Sequence, residues 1–190
     1  MDIKSMKIVQ LNMVRSRTVS DELLHHCISL KVDIALVQEP YTLKGVLHGL
    51  EYRATRTVKR KTNEHNGVWA AIVVFNSHLD IITKPQLTSE HTVVDVAYPG
   101  QTPIDLVFSY FQFRRPTESF TGEISRIHAS LLDRTVLGMD VNAFSPRWHD
   151  HRQNEKGRIV ENMINDLGLV VINKHGNEYT FLRCQGSQKR

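Results

Sequence analysis

The sequence predicts one α/β domain in which two packed, mostly antiparallel β-sheets are flanked by helices. Three observations lead there. Strand-like and helix-like segments alternate along the 190 residues. The β segments outnumber the helices, which favours two sheets with helices outside over one doubly wound sheet. No internal repeat, low-complexity tract or linker divides the chain. A chain of this length buries roughly 70% of the surface its unfolded form exposes, so a core forms without disulfide staples.

Taken in order, residues 7–12 read as a short strand ending in Asn12. Residues 18–30 place Val19, Leu23, Cys27 and Leu30 at helical spacing, with Asp21 and Glu22 in the first turns, where carboxylates suit the helix dipole. Residues 33–37 form a compact apolar run ahead of Glu39-Pro40, the profile of a buried strand. Pro40 biases Glu39 away from helical geometry and leaves its carboxylate at the strand's end. Residues 68–76, 91–98 and 104–113 read as strands, with Pro99-Gly100 turning between the last two. A helix is predicted over 119–132, with Phe120, Ile124, Ile127 and Leu131 on one stripe. Residues 135–139 make a strand that runs into Asp140. The most regular helix is 155–167, where Ile159, Val160, Met163, Ile164 and Leu167 make a continuous apolar face ended by Gly168. Another buried strand is expected over 169–173, and 179–182 begins one more.

Lys and Arg total 24 against 20 Asp and Glu, a net charge of +4. That mild basicity is only a weak pointer to a polyanionic partner; its placement says more. Arg53, Arg56, Lys59, Arg60 and Lys61 crowd one stretch, Arg114 and Arg115 are adjacent, and Arg147, Arg152, Lys156 and Arg158 form a third group. Each alone reads as a solvated loop, but together they flank one candidate site. Cys27 and Cys184 are the only cysteines, too few for a zinc site or a disulfide framework. Cys27, on the apolar helix face, is expected to be a buried free thiol, consistent with a reducing compartment. No signal-like N-terminal segment or bilayer-spanning apolar run is present, so a soluble, intracellular protein with no membrane partner is expected.

Chemistry gathers where the strands end. Asn12, Gln38-Glu39 and Asp140-Val141-Asn142 each close a strand, and Tyr110 lies on the strand predicted over 104–113. Sheet ends on a rigid scaffold are where α/β proteins place ligands. If these strands are neighbours, their ends make one pocket suited to phosphodiester hydrolysis. A carboxylate can hold a hard divalent cation with its waters, which neutralises phosphoryl charge. A second carboxylate can orient or deprotonate water, and amide or phenol donors can bind transition-state oxygens. Taken singly, Glu39 reads as a loop acid, Asp140-x-Asn142 as an Asx turn or helix cap, Tyr110 as a core aromatic and Asn12 as a strand end. Only the conjunction favours catalysis.

The stretch Gly138-Met139-Asp140-Val141-Asn142-Ala143-Phe144-Ser145-Pro146-Arg147-Trp148-His149 is similar to the Asp-x-Asn-Ala signature, followed by tryptophan, of the apurinic/apyrimidinic-type endonuclease domains of non-LTR retrotransposons. Residues 8–12 with Arg15 resemble that family's opening motif. Leu36-Val37-Gln38-Glu39-Pro40-Tyr41 resembles its metal-binding glutamate motif, and Ser109-Tyr110-Phe111 its phosphate-contacting tyrosine. Lys156-Gly157-Arg158, then 169–173 and Tyr179-Thr180-Phe181, continue in the family's order. The match runs from about Met6 to the last residues and most resembles elements that insert into ribosomal DNA. The resemblance implies a DNase I-like four-layer α/β sandwich of the endonuclease/exonuclease/phosphatase superfamily. It implies Mg²⁺ or Mn²⁺ carried by Glu39 with Asn12 close by, water positioned by Asp140, and phosphate held by Asn142 and Tyr110. The reaction implied is a nick in double-stranded DNA that leaves a 3′-hydroxyl. A reverse transcriptase region of the same polyprotein would extend that end, in the nucleus. The basic residues Arg53, Arg56, Lys59, Arg60, Lys61, Arg114, Arg115 and Arg147 would contact DNA. The family continues to further strands and a Ser-Asp-His motif, which this sequence does not contain, so residues 1–190 are expected to be one domain lacking that C-terminal part. Two other readings stay open: a DNA-binding module of the same fold without catalysis, and a phosphoesterase acting on an inositol phosphate or lipid headgroup.

Overall fold

In a computed structural model, which describes residues 5–50, 55–59, 68–85 and 91–173, two short parallel pairs lie at one edge of two packed sheets. β1 (Ile8–Asn12) pairs in parallel with β2 (Ile34–Gln38), and the register sets Asn12 opposite Gln38. β6 (Ala70–Val74) and β5 (Arg56–Lys59) add antiparallel strands, giving the order β1-β2-β6-β5. The small hairpin of β3 (Thr42–Leu43) and β4 (Val46–Leu47) lies in the β2–β5 connection. The second sheet has the order β10-β9-β8-β7, from β7 (Asp80–Thr83), β8 (Thr92–Ala97), β9 (Ile104–Tyr110) and β10 (Thr135–Asp140). Its one parallel pair, β9 with β10, sets Asp140 opposite Tyr110.

The sheets pack through aliphatic and aromatic side chains that alternate inward along the strands. Ile34, Leu36, Ile72 and Val74 of the first meet Val94, Val96, Leu106 and Phe108 of the second, all at most 2% exposed. On the outer face of the first sheet, α1 (Arg17–Ser29) buries Leu23 and Cys27 against Ala35, Val37, Ala71 and Val73. On the outer face of the second lie α2 (Thr117–His128) and α3 (Glu155–Asp166), which bring Phe120, Ile124, Val160, Met163 and Ile164 together under Phe111. Helix, sheet, sheet and helices make the DNase I-like four-layer sandwich that the sequence predicts, each sheet mixed with one parallel and two antiparallel pairings.

One glycine sets the spacing at the edge where the parallel pairs face each other. A Cβ on Gly138 would come within 2.4 Å of Leu36 Cδ1 on β2 and 3.2 Å of Gln10 Oε1 on β1, so the close approach of β10 to β1 and β2 leaves little room for a side chain at 138.

Several boundaries differ from the sequence reading. Leu30 is 57% exposed because α1 ends at Ser29 and the chain turns away there. β9 stops at Tyr110, where the Phe111 N–H crosses to the Asp140 carbonyl (2.8 Å), and Phe113 beyond it is 73% exposed. α2 begins two residues before the predicted Ser119 and closes at His128. Residues 169–173 form no strand: Leu169 and Val171 lie on the α3 core, whereas Val170 and Ile172 are 83% and 78% exposed with no ladder partner among the described residues. The apolar run there reflects contact with one helix rather than burial in a sheet. Residues 179–182 and Cys184 lie outside the described residues.

Candidate active site

All four chemically suggestive strand ends meet at one edge of the sandwich. β1 and β2 run in parallel, so their C-terminal residues Asn12 and Gln38 finish side by side, and the same holds for Tyr110 and Asp140 on β9 and β10. Hydrogen bonds then cross from sheet to sheet. The Asn12 side-chain amide donates to Asp140 Oδ2 (2.9 Å), and the Tyr110 hydroxyl donates to Glu39 Oε1 (2.5 Å). Gln10 Nε2 adds a third crossing to the Met139 carbonyl (3.1 Å). Residues 12, 39, 110 and 140 converge, although 128 positions separate the first from the last.

The backbone at this edge is bent to present them. Val14, Arg15, Glu39 and Asn142 all have positive φ, at 49°, 55°, 41° and 47°. Such angles are costly for non-glycine residues, and outright unusual for a β-branched valine, and they concentrate where a site over-determines its geometry. Glu39 thus stands at the strand's end, but in the left-handed region rather than the extended one that Pro40 suggested. Two backbone bonds pin it there: its N–H donates to the Trp69 carbonyl and its own carbonyl accepts from the Arg15 N–H, both at 2.8 Å.

Asp140 and Asn142 realise the Asx turn as well as the site. The Asn142 N–H donates to Asp140 Oδ1 (3.3 Å), and the Asn142 amide nitrogen donates to the Phe111 carbonyl (2.9 Å). The turn fixes the Asp140 carboxylate, while the Asn142 amide serves both the Phe111 carbonyl and the Tyr110 oxygen. Burial foremost, then donation to Glu39, holds the Tyr110 proton far above the ordinary phenol range, against an opposing hydrogen bond from Asn142. Tyr110 is therefore a neutral donor at any physiological pH.

Among the described residues no three of His, Cys, Asp and Glu gather as a metal cage. The candidate donors at this edge are oxygens, from the Glu39 carboxylate and the Asn12 amide, whose Oδ1 also accepts from the Val14 N–H (3.0 Å). One carboxylate with completing waters is how Mg²⁺ is commonly held, so the donor set fits a hard divalent ion. The buried Nε2 of Gln38, beside Glu39, has no hydrogen-bond partner within the described protein, as expected where a site still has polar groups to satisfy.

The basic residues divide. Arg56 lies opposite Val74, at the far end of the first sheet, where its guanidinium is held by the Leu79 carbonyl at 2.6 Å; the structure does not bring it to the site. Lys59, opposite Ala71, lies toward the site end but donates to the Gly45 carbonyl of the β3–β4 hairpin (3.0 Å). Arg114 is exposed just beyond β9, while Arg115 lies 5.0 Å from the Phe120 ring centroid. Arg147 donates to Asn165 and so ties the short 3₁₀ turn Pro146–Trp148 to α3. Arg53, Arg60 and Lys61 lie outside the described residues.

Three features escaped the sequence reading. Lys156 and Arg152 sit over the rings of Phe113 and Phe144, at 4.3 and 3.7 Å, as two cation–aromatic pairs. Gly157 opens α3 at a point where a Cβ would lie 2.1 Å from the Phe144 carbonyl oxygen. Trp69 stacks on Tyr110, with ring centroids 5.7 Å apart and planes within 3°. Nothing local marks Trp69; its place follows from the antiparallel register of β6 against β2.

Comparison with known proteins agrees with this architecture. Residues 104–189 match the protein family described as endonuclease-reverse transcriptase. The solved endonuclease domain of TRAS1, a telomere-specific non-LTR retrotransposon, superposes with a TM-score of 0.78 at 30% identity, covering 90% of this chain and 74% of that one. The chain is also similar to a retrovirus-related Pol polyprotein from type-1 retrotransposable element R1 of Bradysia coprophila, 24% identical over 76% of this chain. It is 28% identical over 91% of its length to a putative 115 kDa protein in type-1 retrotransposable element R1DM of Drosophila melanogaster. It spans 15% and 17% of those two relatives.

Proposed function

The chain belongs to the endonuclease domains of non-LTR retrotransposons, and on that premise we propose that it nicks one strand of double-stranded DNA with a divalent metal ion, leaving a 3′-hydroxyl. What supports the reading is the closure across the two sheets, Asn12 to Asp140 and Tyr110 to Glu39. It joins a metal-type carboxylate, a water-type carboxylate and a phenol donor in one group. Glu39, with Asn12 at the end of the neighbouring strand, would hold Mg²⁺ or Mn²⁺. When bound, the ion neutralises charge on the phosphoryl and departing oxygens. Asp140, its carboxylate fixed by Asn12 and the Asn142 N–H, orients the attacking water and takes its proton. The Tyr110 hydroxyl and the Asn142 amide donate to the non-bridging phosphate oxygens as their charge grows. Arg114, Arg147 and the Lys156–Phe113 pair would contact the DNA backbone.

The relatives' polyprotein context supports a reverse transcriptase region in the same polypeptide. The exposed 3′-hydroxyl is then its primer, and the work belongs in the nucleus. Supercoiled plasmid tests this reading directly: the full chain with Mg²⁺ should convert it to open circles that a DNA polymerase extends without prior phosphatase treatment. EDTA and Asp140→Ala should each abolish conversion. DNA binding that persists while no metal-dependent nick forms would replace this reading with that of a non-catalytic DNA-binding module.

A further inference from the structure

Glu39 already has a cation beside it. Arg15 Nε lies 3.8 Å from Glu39 Oε2, and its guanidinium carbon lies 4.3 Å from the Trp69 ring centroid. Trp69 in turn stacks on Tyr110, whose hydroxyl donates to the other oxygen of the same carboxylate. Glu39, Arg15, Trp69 and Tyr110 thus close a ring of contacts in which the arginine and the phenol grip one carboxylate and the indole spaces them. The backbone repeats the connection, because the Glu39 N–H donates to Trp69 and the Glu39 carbonyl accepts from Arg15, both at 2.8 Å.

The Arg15–Glu39 contact is long and the Arg15 side chain is 54% exposed, against 23% for Glu39. An arrangement of that kind is weak and readily exchanged. What holds the guanidinium in place is mainly the indole face, a hold that survives when the carboxylate is taken by another cation. A guanidinium held on an aromatic shelf beside Glu39 carries a fork of N–H donors suited to a phosphate.

We propose that Arg15 is an exchangeable counter-ion of Glu39 and a phosphate-binding residue of the same site, parked on Trp69. In the metal-free chain it neutralises Glu39. Once Glu39 is engaged by a divalent cation, Arg15 stays on the indole and turns its donors to the DNA phosphate beside the scissile one. This rests on the nuclease reading above, and it predicts effects of opposite sign on two ligands.

The test compares the wild-type chain with Arg15→Gln and Arg15→Lys, both tolerable at an exposed position whose φ strain is unchanged. Mn²⁺ affinity is read by calorimetry without DNA, and binding of a duplex oligonucleotide by fluorescence anisotropy in the presence of Ca²⁺. Arg15→Gln should bind Mn²⁺ several-fold more tightly, because the competing cation is gone. It should bind duplex roughly tenfold more weakly, with the slope of log affinity against log salt reduced by about one. Arg15→Lys, which keeps the charge but not the fork, should fall between on DNA and near wild type on Mn²⁺. Unchanged or weakened Mn²⁺ binding in Arg15→Gln would overturn the proposal, as would unchanged duplex binding. A wild-type chain that binds neither Mn²⁺ nor duplex would instead remove the nuclease reading, and the arginine's role with it.

Discussion

Tyr110 is placed between two sheet ends, buried and donating to Glu39, and it keeps its proton through the whole range in which a cell operates. Its contribution is therefore that of a fixed neutral donor, and Tyr110→Phe should remove it without disturbing the stack on Trp69. We expect kcat for plasmid nicking to fall about 10²-fold, with KM changing far less, as steady-state rates on a defined duplex will show. An unchanged kcat would mean the hydroxyl serves only to hold Glu39. Cys27 gives a second prediction at this scale. Burial pushes its thiol from the ordinary 9.0 up to about 11. Between those values the unfolded chain holds fewer protons than the folded one, so stability falls as pH rises. The Cys27 contribution is intact below about pH 9 and lost as pH passes through about 11. Melting temperatures measured from pH 7 to 11 should decline less steeply in Cys27→Ala than in the wild type.

Two elements depend on glycines that a sequence pattern does not explain. β10 reaches β2 at Gly138, and the first turn of α3 meets the Phe144 carbonyl at Gly157. Asn154 caps the same turn, accepting from the Gly157 N–H at 2.8 Å. Adding a methyl at Gly157 opposes backbone that has no flexible end to give way, so Gly157→Ala should cost about 1–3 kcal/mol in chemical denaturation. Gly138→Ala should cost a similar amount. It should also lower nicking beyond its effect on stability, because it parts the strands that carry Asn12 and Asp140. Much of this layer was legible from sequence: β1, β2, β6, β8, β9, β10 and the helices α1, α2 and α3 follow from apolar spacing. The short strands β3, β4, β5 and β7 were not, since they carry mostly exposed or half-buried residues, and their pairing depends on the neighbour rather than on pattern. The 169–173 run misled for the converse reason, being apolar without a strand to pair with.

Across the whole molecule, the candidate site was legible only as residue types at strand ends. Which ends meet depends on the two parallel pairs lying at one edge, a property of topology that spacing along the chain does not encode. Arg56 illustrates the limit: near the other basic residues in sequence, it ends at the opposite edge in space. Phosphate contacts from the basic residues at the site edge predict that duplex affinity falls steeply between low and physiological salt; anisotropy titrations at a series of salt concentrations will measure the slope, and a flat response would contradict backbone contact. Everything above depends on the ends of the two sheets acting as one catalytic unit. The most direct measurement of that is the Mg²⁺-dependent nicking rate of Glu39→Ala, Asp140→Ala and the double variant on one plasmid substrate. A shared site predicts that the double variant loses scarcely more than the worse single variant, since either loss disables the unit. Losses that multiply independently would show that Glu39 and Asp140 do not serve the same reaction centre.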